Sequence, residues 1–192
     1  MEMITPFSSF IAVQPLQLDN VILQKRCYEL CQNSTNCTGV FSELDLNTDS
    51  VFFELKNKIY DSLEIIHRNM KFSKSHKFSI SKSWINLNNN EAINSAHMHQ
   101  GYVLSGVYYV KGNENNASLE FMTPIQAQPF VIKKEYIDEY NEFTSNIWNI
   151  PCREGNLVLF PSWLVHYAKN NKSDSDRISI AFDVTLENIS VV

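Results

Sequence analysis

Two histidines, His97 and His99, stand in the stretch Ala96-His97-Met98-His99-Gln100-Gly101, directly before the apolar run Val103-Leu104-Ser105-Gly106-Val107-Tyr108-Tyr109-Val110. Side chains alternate along a strand, so an i, i+2 pair at a strand end projects from one face and both imidazoles can reach a single metal ion. The chain has only five histidines, and a third, His166, follows Leu157-Val158-Leu159-Phe160. Three neutral imidazoles converging from two neighbouring strands suit iron, zinc, copper or nickel. The other two, His67 and His76, fall beyond a helical apolar stripe and in a polar loop, and are expected to face solvent.

These residues need a scaffold, and the hydrophobic periodicity supplies one. Asp19 is placed to cap a helix over about 20–32, and Asp49 or Ser50 one over about 50–69. In the second, Val51, Phe52, Leu55, Ile59, Leu63 and Ile66 recur at steps of three and four, a continuous stripe that must lie against a sheet. From Phe78 the period becomes two, through Ile80 to Leu87, and the turn Asn88-Asn89-Asn90-Glu91 ends that strand. Strands then follow around His97, at Leu119-Glu120-Phe121-Met122, at Leu157 to Phe160 and at Arg177 to Val184, with an earlier edge strand before Pro15 and a short one near Val40-Phe41. An antiparallel meander is the economical arrangement. Residues 124–146, with Pro124 and Pro129, read as an irregular flap over an opening.

Composition narrows the function classes. The length of 192 residues fits one domain, 1–192, and 44% hydrophobic with 19% charged residues is ordinary for a globular protein. A net charge of −5 and scattered Lys and Arg argue against a nucleic-acid partner. No apolar run approaches the roughly 20 residues that cross a bilayer, so no membrane partner is expected and the chain is expected to be cytoplasmic. Cys27, Cys31, Cys37 and Cys152 lack a tight C-x-x-C spacing and are expected as free thiols. A homodimer is left open.

Taken together, Trp84-Ile85-Asn86, His97-Met98-His99, Leu104-Ser105-Gly106-Val107-Tyr108-Tyr109-Val110, Gly155-Asn156-Leu157-Val158-Leu159-Phe160-Pro161-Ser162-Trp163, His166 and Arg177-Ile178-Ser179 resemble the 2-oxoglutarate/Fe(II)-dependent oxygenases. The likeness is to the prolyl-hydroxylase-like members of bacteria and phages, and it spans residues 84–184. The resemblance implies a mainly β fold with flanking helices: a double-stranded β-helix, or jelly roll, over 78–185, supported by an N-terminal strand and helices in 1–77. It implies Fe(II) on His97, His99 and His166, O₂ as oxidant, and 2-oxoglutarate as co-substrate with its far carboxylate on Arg177 and Ser179. A guanidinium matches a carboxylate bidentately and a hydroxyl two residues along adds a donor. Asn86, Tyr102, Tyr109 and Trp163 are candidate pocket residues, and no catalytic side chain is expected beyond the metal ligands. The implied reaction is hydroxylation of a primary substrate, a small molecule or a protein side chain, with release of succinate and CO₂.

The chain departs from the superfamily's usual H-x-D/E, the 2-His-1-carboxylate triad, by placing His99 where the carboxylate would fall. The site becomes one charge more positive, and neither Glu91 nor Glu114 is placed to make good the loss. The resembling subgroup also carries H-x-H. Two rivals remain: a cupin-type metal-dependent dioxygenase or isomerase, approximated by Gly155, Pro161, His166 and Asn170, and a metal-free binding module on the same barrel. The cupin's Glu after His99 and Gly after Pro161 are missing, and Arg177-x-Ser179 favours the oxygenase.

Overall fold

The computed structural model describes residues 9–32, 40–88, 93–125, 132–169, 171 and 173–189. Cys37, Glu91, Asn170 and residues 126–131 lie outside them. Both helices form where capping and periodicity place them. Asp19 accepts from the N–H groups of Val21 and Ile22 (3.1 and 3.3 Å) and starts α1 (Asn20–Cys31). Asp49 accepts from Val51 N–H (3.1 Å) and starts a 3-10 turn, Ser50–Phe52, that runs into α2 (Phe53–Asn69).

Ten strands are seen among the described residues: β1 (Ala12–Pro15), β2 (Val40–Glu43), β3 (His76–Asn88), β4 (Asn94–His97), β5 (Leu104–Lys111), β6 (Leu119–Met122), β7 (Ile147–Ile150), β8 (Asn156–Pro161), β9 (His166–Ala168) and β10 (Arg177–Asn188). They make a six-stranded sheet ordered β1-β8-β5-β10-β3-β2 and a four-stranded sheet ordered β4-β9-β6-β7, all antiparallel. This is the jelly-roll arrangement, and it overturns the meander. β3 and β5 do not pair; the last strand, β10, lies between them. The reason is burial: a chain that crosses between two facing sheets covers both inner faces, which a meander in one sheet cannot do.

The large sheet therefore has two buried faces. One packs on the helices, where Ile178, Ile180, Phe182 and Val184 of β10 join Ile85, Tyr108 and Leu159 against Leu55, Ile59 and Leu63 of α2. The other faces the small sheet across Tyr109, Leu119, Phe121, Cys152, Val158 and Phe160. Cys27, Cys31 and Cys152 are free, as expected.

Three further readings change. His97 and His99 do not share a strand: β4 ends at His97, and the chain turns through Gln100 and Gly101 (φ +88°) before β5 begins in the other sheet. His67 is buried instead of solvated, its Nε2–H donating to the His76 carbonyl (2.9 Å) and its ring packed edge-on to Phe78. β7 is a strand that apolar patterning did not reveal, because Ile147 and Trp148 sit on an outer edge. Of the expected flap over 124–146, residues 126–131 lie outside the described ones, and the described part holds one 3-10 turn, Lys134–Tyr136. Among the described residues, no helix is long and apolar enough to cross a membrane.

Candidate metal centre

The three histidines meet because β4 and β9 pair with His97 opposite His166. His99, two residues on, is held by its own N–H donating to the Ser162 carbonyl (2.9 Å). The ring centroids of His97 and His166 are 4.4 Å apart, those of His97 and His99 5.0 Å, and those of His99 and His166 5.2 Å. One ring nitrogen from each lies within 4.8 Å of one from each of the others.

Tautomers follow from the partners. A carbonyl only accepts, so His97 Nδ1 donates to Ser95 O (2.6 Å) and His166 Nδ1 donates to Leu164 O (2.9 Å). His99 Nδ1 lies 2.6 Å from the Asp183 carboxylate. All three Nδ1 atoms are thus engaged and Nε2 is the atom left on each ring. His99 Nε2 is buried with no hydrogen-bond partner, the kind of orphan that a metal ion satisfies. Burial, reinforced by the neighbouring His97 and His99, pushes the His166 imidazole down to about 4, so it is a neutral donor near pH 7. Trp84 stacks on His99 at 5.7 Å and 15°, and Phe160 packs edge-on to His166 at 4.7 Å. His166 is buried, His99 half-buried and His97 exposed, so the cluster opens on the His97 side.

Behind the histidines runs the inward face of β10. Its alternation puts Ile178, Ile180 and Phe182 toward the helices, and Arg177, Ser179, Ala181 and Asp183 on the opposite face. Across from Ser179 stand Asn86 of β3 and Tyr109 of β5, and all three line the cavity. Arg177 is 4% exposed and donates to neutral acceptors: Nη1 to Ala117 O (2.7 Å), Nη2 to Asn88 Oδ1 (2.9 Å) and Asn94 Oδ1 (3.4 Å). Its Nε is buried without a partner. A buried guanidinium with neutral partners and a spare donor suits an incoming carboxylate.

The fold thus brings His97, His99, His166, Arg177, Ser179, Asn86 and Tyr109 to one cavity. It does not bring Tyr102 or Trp163 there. Trp163 is 50% exposed in the turn that closes with Leu164 N–H donating to Pro161 O, and the Tyr102 ring lies under the Lys82 ammonium at 4.8 Å. The sequence reading missed Trp84 as a wall of the site, and it missed Asp183. That carboxylate is fully buried; its Oδ1 accepts from His99 Nδ1 and from Ser105 Oγ (2.6 Å each), and Lys82 Nζ stands 3.1 Å from Oδ2. Burial alone would raise the Asp183 carboxyl, but the hydrogen bonds from His99 and Ser105 outweigh it and hold the group below its ordinary value. The available signal was an acid on the same alternating row as Arg177 and Ser179, flanked on either side by apolar residues, Phe182 and Val184.

The sequence matches, over residues 82–183, the family described as "Putative 2OG-Fe(II) oxygenase". No curated protein has a significantly similar sequence. Among solved structures, the fold is similar to the non-heme alpha-ketoglutarate-dependent epimerase SnoN from nogalamycin biosynthesis (TM-score 0.67, 13% identity, 91% of this chain and 78% of that one). It is also similar to a Pseudomonas putida prolyl-4-hydroxylase (0.62, 13%, 93% and 94%) and to HygX from Streptomyces hygroscopicus, solved with nickel and 2-oxoglutarate (0.60, 12%, 92% and 83%). With just over half of its residues matched, including all three clustered histidines and Arg177, the chain belongs to the 2OG-Fe(II) oxygenase family, enzymes whose cofactors are iron and 2-oxoglutarate.

Proposed function

We propose that this chain is a 2-oxoglutarate-dependent hydroxylase in which His97, His99 and His166 hold Fe(II) through Nε2, while Arg177 and Ser179 hold the far carboxylate of 2-oxoglutarate. The carrying observation is the shared tautomer: each Nδ1 is engaged elsewhere, and the buried His99 Nε2 has no partner. Bound iron, with O₂ and 2-oxoglutarate, supplies the oxidative decarboxylation that yields succinate, CO₂ and one oxygen atom for the substrate.

The protein's own share is placement and exclusion of water. Carbonyls of Ser95 and Leu164 and the carboxylate of Asp183 fix the three rings. Arg177 offers charge in the same cavity as the histidines, and Ser179 a hydroxyl two residues along on the same face. Trp84 and Phe160 cover two of the rings. A second opening, of about 510 Å³, borders Trp84 and His99 from the side of Asp45, Lys56 and Lys82. Its volume is that of a site for a small molecule or a side chain, beside the histidine cluster on its Trp84 side.

Anaerobic titration of Fe(II) into the protein with 2-oxoglutarate is the test. A visible absorption band that needs both additions, and succinate formed on admitting O₂, are the expected results. Iron binding without any response to 2-oxoglutarate would remove the co-substrate from this reading, and no iron binding would remove the metal.

A further inference from the structure

The site has three imidazoles where most of the superfamily has two and a carboxylate, so its ligand set carries one negative charge fewer. The missing charge lies one ring away. Asp183 accepts the Nδ1–H of His99 at 2.6 Å, which fixes the ring so that the unpartnered Nε2 is the one free to bind. The carboxylate is itself held from several sides: Ser105 Oγ donates to the same Oδ1, and Lys82 Nζ stands 3.1 Å from Oδ2. A ligating imidazole that donates its second N–H to a carboxylate is oriented and made more basic by it.

We propose that Asp183 is a positioning residue for the metal, supplying through the His99 ring the negative charge that a ligating carboxylate would supply directly, and that Lys82 tempers that charge from behind. The inference rests on the metal assignment above and goes beyond it. The elements favour such a relay. Asp183 faces Ser105 across the β10–β5 pairing and Lys82 across the β10–β3 pairing, so three strands fix the carboxylate before any metal arrives. Asp183 is 0% exposed, so its charge acts across little water, whereas the Lys82 side chain is 50% exposed and more screened. The net effect at His99 is therefore negative.

A buried ion pair kept only for folding predicts something different, and opposite signs at the two residues separate the cases. Co(II), whose visible band reports ligand geometry and basicity, is the probe. Asp183→Asn keeps an acceptor for Nδ1–H but removes the charge; it is expected to weaken Co(II) binding by about tenfold or more and to shift the band. Lys82→Met keeps most of the stem and removes the opposing charge; it is expected to tighten Co(II) binding by about twofold. Asp183→Asn binding Co(II) as tightly as the parent with an unshifted band overturns the role of Asp183. If that variant does not fold, Lys82→Met decides, and unchanged or weaker binding overturns the proposal. A parent that binds no Co(II) or Fe(II) overturns the metal assignment itself, a result distinct from either.

Discussion

The two faces of the large sheet are built from the same strands and have opposite chemistry. On the helix side, β10 presents Ile178, Ile180, Phe182 and Val184, all fully buried against apolar neighbours. On the other side, the same strand presents Arg177, Ser179 and Asp183, equally buried. Apolar burial on the first face stabilises the fold at roughly 25 cal/mol per Å². Each charge on the second face costs desolvation and is tolerated only where hydrogen bonds answer it. Stability and function are therefore separated by the pleat of one strand, and the buried unpartnered nitrogens at the site, Arg177 Nε and His99 Nε2, are the ones to look to for ligands.

Breaking the apolar face should have the largest effect. Ile59→Asp puts a carboxylate at a fully buried position between α2 and the sheet, where the lost burial and the unpaired charge together are expected to cost more than about 4 kcal/mol. Urea denaturation of the variant checks it, and an unchanged midpoint would remove α2 from that face.

Arg177→Ala attacks the other face and should separate binding from folding. Losing a buried charged partner typically costs about 2–5 kcal/mol, so affinity for 2-oxoglutarate should fall at least tenfold and succinate formation should cease at ordinary co-substrate levels. Metal affinity should hold, since Arg177 donates to Ala117, Asn88 and Asn94 and its hydrogen bonds do not fix the three histidines. Parent and variant giving the same 2-oxoglutarate-dependent absorbance would take Arg177 out of the site.

The smallest effect tests whether both faces are equally dry. Cys27 lies in the helix-side core and Cys152 between the sheets, and burial pushes both thiols from 9.0 up to about 12. The folded state thus holds these protons more tightly than the unfolded chain. Their contribution to stability is complete below pH 9 and is lost as the pH rises toward 12. Urea midpoints should therefore fall between pH 9 and 11, and less so in a Cys27→Ala, Cys152→Ala variant. Identical slopes would mean that water reaches both thiols.

What could be read in advance divides along the same line. Local signals sufficed for α1, capped by Asp19, for α2, entered through the 3-10 turn that Asp49 caps, and for β10, whose alternation is clean. The histidine cluster was legible because side-chain type alone marks a ligand, and Arg177 because it opens an apolar strand. Strand order was not, since β10 enters between β3 and β5 by pairings far apart in sequence. For the same reason Glu91 and Glu114 were weighed as nearby acids while Asp183, 84 positions after His99, went unseen; the β10–β5 register places it opposite Ser105. His67 looked solvated because the helix pattern says nothing of Phe72 and Phe78, which pack against it.

β10 also sets how the gene can change. The two strands beside it absorb irregularities: an extra residue of β3 is accommodated opposite Asp183/Val184 and one of β5 opposite Ile178/Ser179, while β10 itself keeps an unbroken alternation. The interval from Arg177 to Asp183 is thus a fixed-length segment. Inserting or deleting a single codon within it would turn one end of the strand over, sending a charge into the helix-side core and an isoleucine toward the metal. A change of length is expected to be tolerated in the loops; within β10 only substitution leaves both ends of the cavity row facing the same way.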